Sequence, residues 1–319
     1  MGGKLDIKIL GSLAVYCANT LVTPTARKPR TVLAMLAVHA NEPVPIDAVI
    51  VELWRDRVPS SAKTTVQTYV MKLRKMIGDA LCSQHDGSRR EAKHELVTVP
   101  GGYVLHALPE SVDLWQFDRL AASAHKAREA GDFTTAARQF SEALSCWRGR
   151  ALFDVAVGPH LQAAITRLEE ARLNVLDCRI DADLRLGRHH ALLGELAALV
   201  ERYPSHEGLA GHLMLALYRS GRRCDALNAY RRLQTCLADT HGLEPSPPLR
   251  RLQHAMLVSD HGSTEATESW HAATTNGRPR GSRTGRPTTA TGRISADIAS
   301  ISWQANSMAE LGIDQRLPG

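Results

Sequence analysis

At 319 residues the chain can hold two domains, each with its own core, and a terminal segment besides. Its net charge of +6 is uneven, with 14 Lys and Arg against 10 Asp and Glu in residues 1–110, 19 against 17 in residues 111–258, and 6 against 6 in residues 259–319. The six cysteines form no C-x-x-C pair and no apolar run approaches bilayer-spanning length, which excludes a disulfide framework, a cysteine-based zinc module and a membrane-spanning helix. Residues 1–10 lack the apolar stretch of a signal peptide, so a cytoplasmic protein with reduced thiols and no membrane partner is expected.

In chain order, residues 4–22 alternate apolar and polar in short runs broken by Gly11 and Asn19, the pattern of a small antiparallel meander. Residues 29–40 read as a helix with Pro29 in its first turn and Val32, Leu33, Leu36, Ala37 and Ala40 inward. A second helix is predicted over about 46–54, carrying Val49, Ile50, Leu53 and Trp54. The loop Arg55-Asp56-Arg57-Val58 then leads to "SSAKTTVQTYVMKLRKMIGD", residues 60–79, which holds four cations and no acid before Asp79. Val66, Val70, Leu73 and Ile77 keep i, i+4, i+7, i+11 spacing, so they form one apolar stripe on a helix. Ser60 or Ser61 can cap it and Gly78 marks its expected end. Away from the stripe lie Thr64, Thr68 and Lys75, flanked by Gln67, Met71, Lys72 and Arg74, with Lys63 at the start. An ordinary solvated helix face mixes both signs of charge, whereas this one is basic throughout.

After a polar insertion (82–95), "ELVTVPGGYVLHA" reads as two strands hinged at Pro100-Gly101-Gly102. Three helices followed by a hairpin is the order of a winged helix-turn-helix, in which the third helix enters the major groove and the hairpin, or wing, reaches the neighbouring backbone or minor groove. The expected DNA contacts are therefore Lys63, Thr64, Gln67, Thr68, Lys72, Arg74 and Lys75, with Gly101, Gly102 and Tyr103 on the wing.

Residues 111–258 turn into successive amphipathic helices with an internal repeat. Gly131, Ala136, Phe140 and Ala143 share their spacing with Gly187, Leu192, Leu196 and Leu199, and again with Gly221, Ala226, Tyr230 and Leu233. Glycine makes the turn, the small residue lets paired helices approach, and the larger ones fill the space between them, which is the logic of tetratricopeptide-like (TPR-like) hairpins. An additional helix or loop (about 149–171) separates the first two units, and residues 249–257 close the array. Residues 259–319, rich in Ser, Thr, Gly, Ala and Arg, read as a disordered low-complexity tail. Within it "NGRPRGSRTGRP" faintly resembles an AT-hook, and Ile294, Ile298, Ile301, Ala305 and Met308 keep helical spacing.

No phosphate-cradling loop, dinucleotide fingerprint, H-E-x-x-H or G-x-S-x-G motif is present. His189-His190 is an adjacent pair with poor geometry for joint metal ligation, while Glu169-Glu170 and Asp181/Asp183 read as solvated faces. No catalytic residue, metal site or cofactor is expected. The fold class that emerges is mainly α with a small β component. A winged helix-turn-helix (1–110) precedes an all-α TPR-like array (111–258) and the tail (259–319).

The segments "ARKPRTVLAMLAVHANEPVPIDAVIVELW", "AKTTVQTYVMKLRKMIGD" and "VTVPGGYVL" resemble the OmpR-type winged helix of the Streptomyces antibiotic regulatory proteins. "EALSCWRGRALFDV", "RLEEARLNVLDCRIDADLRLGRH", "LMLALYRSGRRCDALNAYRRL" and "HGLEPSPPLRRLQ" resemble the bacterial transcriptional activation domain that follows it there. The resemblance covers about residues 4–257. It implies a pathway-specific activator of a secondary-metabolite gene cluster that binds promoter direct repeats as a side-by-side homodimer. It also implies recruitment of RNA polymerase with its principal sigma factor, through a loop matching Arg55, Asp56 and Arg57. Where the family often has a Lys-Gln-Arg run, this chain has Lys28-Pro29-Arg30, and the loop before the wing is long. The resemblance is to the small members, so neither an ATPase region nor a receiver domain under phosphorylation control is expected. The competing class is a TPR-like interaction adaptor whose winged helix does not read DNA. Such an adaptor has no need of an acid-free face on residues 61–75.

Overall fold

The computed structural model describes residues 5–17, 19–82, 92–258 and Trp270. They begin with an antiparallel meander, β1 (Leu5–Lys8), β2 (Ala14–Cys17) and β3 (Thr20–Leu21), as the alternation of residues 4–22 predicts. The inward residues Leu5, Ile7, Val15 and Cys17 are all but inaccessible to water. Helices α1 (Arg27–Val38), α2 (Ile46–Trp54) and α3 (Ala62–Cys82) follow, with the strand β4 (Val44–Pro45) just ahead of α2. Burial of Val66, Val70, Leu73 and Ile77 on α3 to 1% exposure or less fixes which side of that helix faces out. Each such side chain contributes on the order of 1.5–3 kcal/mol.

Past the short helix α4 (Ala92–Glu95), β5 (Leu96–Val99) and β6 (Gly102–Leu105) form the predicted hairpin, with Gly101 at φ +76° in its turn. β6 also pairs with β4, so the wing is a three-stranded sheet of order β4-β6-β5. The two-residue strand Val44-Pro45 was too short to show in the alternation.

The helical array contains α5 (Asp113–Glu129), α6 (Phe133–Ser145), α7 (Pro159–Arg185), α8 (His189–Arg202), α9 (Glu207–Arg219), α10 (Arg223–His241) and α11 (Pro247–Val258). The three template glycines, Gly131, Gly187 and Gly221, sit between paired helices at φ of +80°, +76° and +75°. That left-handed conformation is costly for any residue with a Cβ, which explains the repeat. Ala136, Phe140 and Ala143 are fully buried, and Leu196 and Ala226 equally so.

Three features differ from expectation. Helix α3 runs past Gly78 to Cys82, because Gly78, Ala80 and Leu81 are buried and their packing outweighs glycine's low helix propensity. Asp181 and Asp183 are not on a solvated face. Both are 8% exposed, and they pair with Arg185 at 3.0 Å and Arg188 at 2.9 Å. The core of the array also extends beyond α11. Trp270 is 3% exposed and packs in the core cluster to which α7, α8, α9, α10 and α11 all contribute. The other expectations for the tail, including its Arg-rich block and its spaced isoleucines, lie outside the described residues, as do those for residues 83–91.

The winged helix and the array are joined through two carboxylates, Asp113, which is buried, and Asp154, which is exposed. Asp113, at the start of α5, accepts hydrogen bonds from the Ile9 and Leu10 amides at 2.9 and 3.1 Å and from Arg148 at 2.9 Å. Burial pushes its carboxyl above the ordinary range, opposed by those amides and by Arg148. Asp154 accepts from the Leu13 amide at 2.9 Å and pairs with Arg30. Thr31 donates to the Ala156 carbonyl at 2.9 Å.

Among the cysteines, burial pushes the Cys17 and Cys178 thiols up to about 11, while Cys82 and Cys224 are exposed. At about pH 8, on the order of a thousandth of a thiol with pKa 11 is the reactive thiolate. A maleimide should therefore label Cys82 and Cys224 promptly, and Cys17 and Cys178 only on unfolding. Mass spectrometry of timed samples checks this, and early labelling of Cys17 would mean that the meander opens readily.

Candidate nucleic-acid interface

The buried stripe of α3 directs the opposite face outward, and Lys63, Thr64, Gln67, Thr68, Lys72 and Lys75 are all exposed there. Met71, 68% exposed, lies among them. The hydroxyl of Thr68 donates to the Thr64 carbonyl at 3.0 Å, which holds that side chain against the helix. Lys63 lies 3.8 Å from Asp47, but both side chains are at least 70% exposed. So open an ion pair is worth little and yields readily to a phosphate. The face is a row of donors and cations beside an exposed thioether, with nothing acidic on α3 before Asp79.

Three expected contacts, Arg74, Gly102 and Tyr103, fall elsewhere. The Arg74 guanidinium donates to the Leu96 carbonyl and to the Thr98 hydroxyl, each at 2.8 Å. It fastens β5 of the wing to α3 and is not extended toward a phosphate. Tyr103 is 6% exposed and belongs to the core under the wing, and Gly102 is buried where a Cβ would collide with the Val44 carbonyl. Of the three wing positions only Gly101, at the turn, is exposed. Aromatic and Arg residues beside a basic helix look like ligand contacts in a sequence, and only the strand register reveals them as wing anchors.

At the other end of α2, Arg55, Asp56, Arg57 and Val58 are exposed as expected, and Arg55 has φ +49°. Its guanidinium approaches the Val157 carbonyl at 3.4 Å. In the Lys28-Pro29-Arg30 run the exposed Lys28 ammonium lies 4.5 Å from the Trp54 ring centroid, and Arg30 is engaged by Asp154.

Among the described residues no group of three or more His, Cys, Asp or Glu is arranged to hold a metal, and no helix is long and apolar enough to cross a membrane. The His189 and His190 ring centroids lie 4.5 Å apart, with the planes tilted by 43°.

Comparison with known proteins accords with this architecture. Residues 112–257 match the bacterial transcriptional activator domain. The chain is 45% identical over 258 residues to the regulatory protein DnrI of Streptomyces peucetius, covering 81% of this chain and 94% of that protein. To the transcriptional regulator RedD of Streptomyces coelicolor it is 32% identical over 259 residues, covering 81% of this chain and 72% of RedD. The fold superposes on the solved structure of Mycobacterium tuberculosis EmbR, determined with a low-affinity phosphopeptide, with a TM-score of 0.76. Identity there is 34%, over 86% of this chain and 70% of that one.

Proposed function

The chain belongs to the Streptomyces antibiotic regulatory protein family of transcriptional regulators, and from that membership we propose that it activates transcription by reading promoter DNA with α3. The observation that carries the reading is the acid-free outward face of α3. A solvated surface gains nothing from such segregation, whereas a polyanion gains with every cation. Lys72 and Lys75, with Lys63 at the helix start, neutralise phosphates. Thr64, Gln67 and Thr68 face base edges or nearby backbone, and the turn at Gly101 reaches the flanking backbone. Arg74 and Tyr103 act indirectly, by holding the wing at a fixed angle to α3.

On direct repeats two copies lie side by side, and the array supplies contacts between them. The loop at Arg55, Asp56 and Arg57 meets RNA polymerase or its principal sigma factor. The controlled genes form a secondary-metabolite cluster. The work is done by binding, without catalysis, in the cytoplasm at the nucleoid. Reconstituted transcription from a promoter of the chain's own genomic neighbourhood tests the whole reading, which requires output to rise on addition of the protein.

The loop has a separate test. Arg57 is exposed and its amide closes the end of α2 by bonding the Trp54 carbonyl at 3.0 Å, so its side chain is free to change without disturbing the fold. Arg57→Glu should leave operator affinity within about twofold and lower transcription on the order of tenfold, because reversing a charge at an interface adds repulsion to the lost attraction. Equal losses in both assays would assign the loop to DNA.

A further inference from the structure

We infer that Glu52 is a positioning residue that locks the DNA-reading helices to the array and thereby sets cooperative binding at paired sites; this rests on the DNA-binding reading above. Glu52 lies near the end of α2, yet its side chain is not among the solvent-facing groups of that helix. It is 5% exposed, and its carboxylate receives the amides at the start of α7. The donors are Gly158, His160 at 2.8 Å and Leu161 at 3.3 Å.

A helix start leaves amide groups without partners, and a residue just ahead of it ordinarily accepts one of them. Here the preceding position is Gly158, which has no side chain to offer, and α7 has no side-chain cap of its own. The role passes to an acid 106 residues away, in the helix that precedes the recognition helix. The carboxylate also sits at the positive end of a 27-residue helix, where a negative charge is favoured. The fit is close on both sides. A Cβ at position 158 would lie 2.8 Å from the Glu52 carboxyl carbon and 2.9 Å from Oε2.

Neighbouring contacts follow the same path. Arg55 reaches the Val157 carbonyl, Thr31 the Ala156 carbonyl, and Arg30 pairs with Asp154. Residues 154–161 are thus gripped by α1 and α2, and α2 in turn packs on α3. Tilting the array relative to α3 would strip buried, charge-assisted hydrogen bonds from a helix end. With α3 seated in the groove, the array of each copy therefore points in one direction. Two copies on direct repeats can touch through their arrays only when the repeats are correctly phased on the double helix.

The test uses the full chain with Glu52→Ala and Gly158→Ala, which open the lock from opposite sides, on DNA bearing one repeat or two. A second pair of probes carries a half-turn insertion of about five base pairs between the repeats. Both variants should bind one repeat within about twofold of wild type. On two repeats they should lose on the order of tenfold, and the half-turn insertion that weakens wild type should scarcely affect them. Retention of wild-type cooperativity and phasing by both variants would overturn the inference. So would an equal loss in Leu252→Ala, a core change in α11 away from the lock, since that would reduce the effect to general loosening. Wild-type protein with no preference for repeat DNA would instead overturn the DNA-reading proposal itself, and this inference with it.

Discussion

Replacing Trp270 by Ala is expected to lower the free energy of unfolding by about 3–5 kcal/mol, the usual cost of emptying a buried aromatic site. The residue stands apart from the helices in sequence but is as buried as their own core. Its ring occupies the place of the side chain that Gly211 lacks, so that a Cβ there would overlap it. The indole N–H points to Nδ1 of His212 at 3.4 Å, and the two rings meet edge-on at 5.9 Å. His212 is 1% exposed, and its Nε2 lies 3.2 Å from Asp177 on α7. With Nδ1 accepting from the indole, Nε2 carries the proton and faces the carboxylate. Removing the indole leaves both an apolar void and an imidazole nitrogen without its donor, and each adds to the cost.

For a body of this size, that loss lowers Tm by roughly 10 °C. Urea or thermal denaturation of Trp270→Ala measures it. Gly211→Ala provides a check from the opposite side, since alanine suits a helix interior but excludes the ring. Truncation after Val258 removes Trp270 and should therefore destabilise the protein similarly. A loss below about 1 kcal/mol in all three would mean that Leu252 and Met256 close the array unaided.

The second large effect concerns DNA. Lys72→Ala together with Lys75→Ala should weaken binding to every sequence and flatten the dependence of log affinity on log salt by about two units. Both side chains are exposed. The loss at moderate salt should be on the order of tenfold or more, with little change in stability. Gln67→Ala should instead relax base preference, by roughly 1–3 kcal/mol if it makes a bidentate contact. Arg74→Ala separates the two roles, because it frees the wing and should reduce affinity without removing a full unit of salt slope. An unchanged slope in the double lysine variant would place the DNA on another face.

Local periodicity made α3, its orientation and the hairpin readable, because Val66, Val70, Leu73 and Ile77 face one side whatever they pack against. The glycine template was equally readable, since each turn makes the same backbone demand. Glu52 and Trp270 were not, for a shared physical reason. An acid among apolar residues on a short helix has the same pattern whether it meets water or a distant helix end. A tryptophan in a polar segment likewise shows nothing of the space above Gly211. Arg74 was assigned to DNA by its place on the helix face and Tyr103 by its place on the wing; the hydrogen bonds of Arg74 to Leu96 and Thr98, and the burial of Tyr103 on β6, tie them to the wing instead. Asp181 and Asp183 show the same limit, because an arginine one turn away on the helix suggests a surface pair until neighbouring helices cover it.

The most direct measurement is quantitative footprinting of the intact protein on the promoters beside its own gene, at about 150 mM salt where weak non-specific attraction is screened. The expected result is two protected stretches over a direct repeat, in the same orientation and separated by whole turns of the helix. Protection there should be at least about a thousandfold tighter than on random DNA. Uniform protection, or none, would contradict the account and leave the helical array as an interaction adaptor with an idle winged helix.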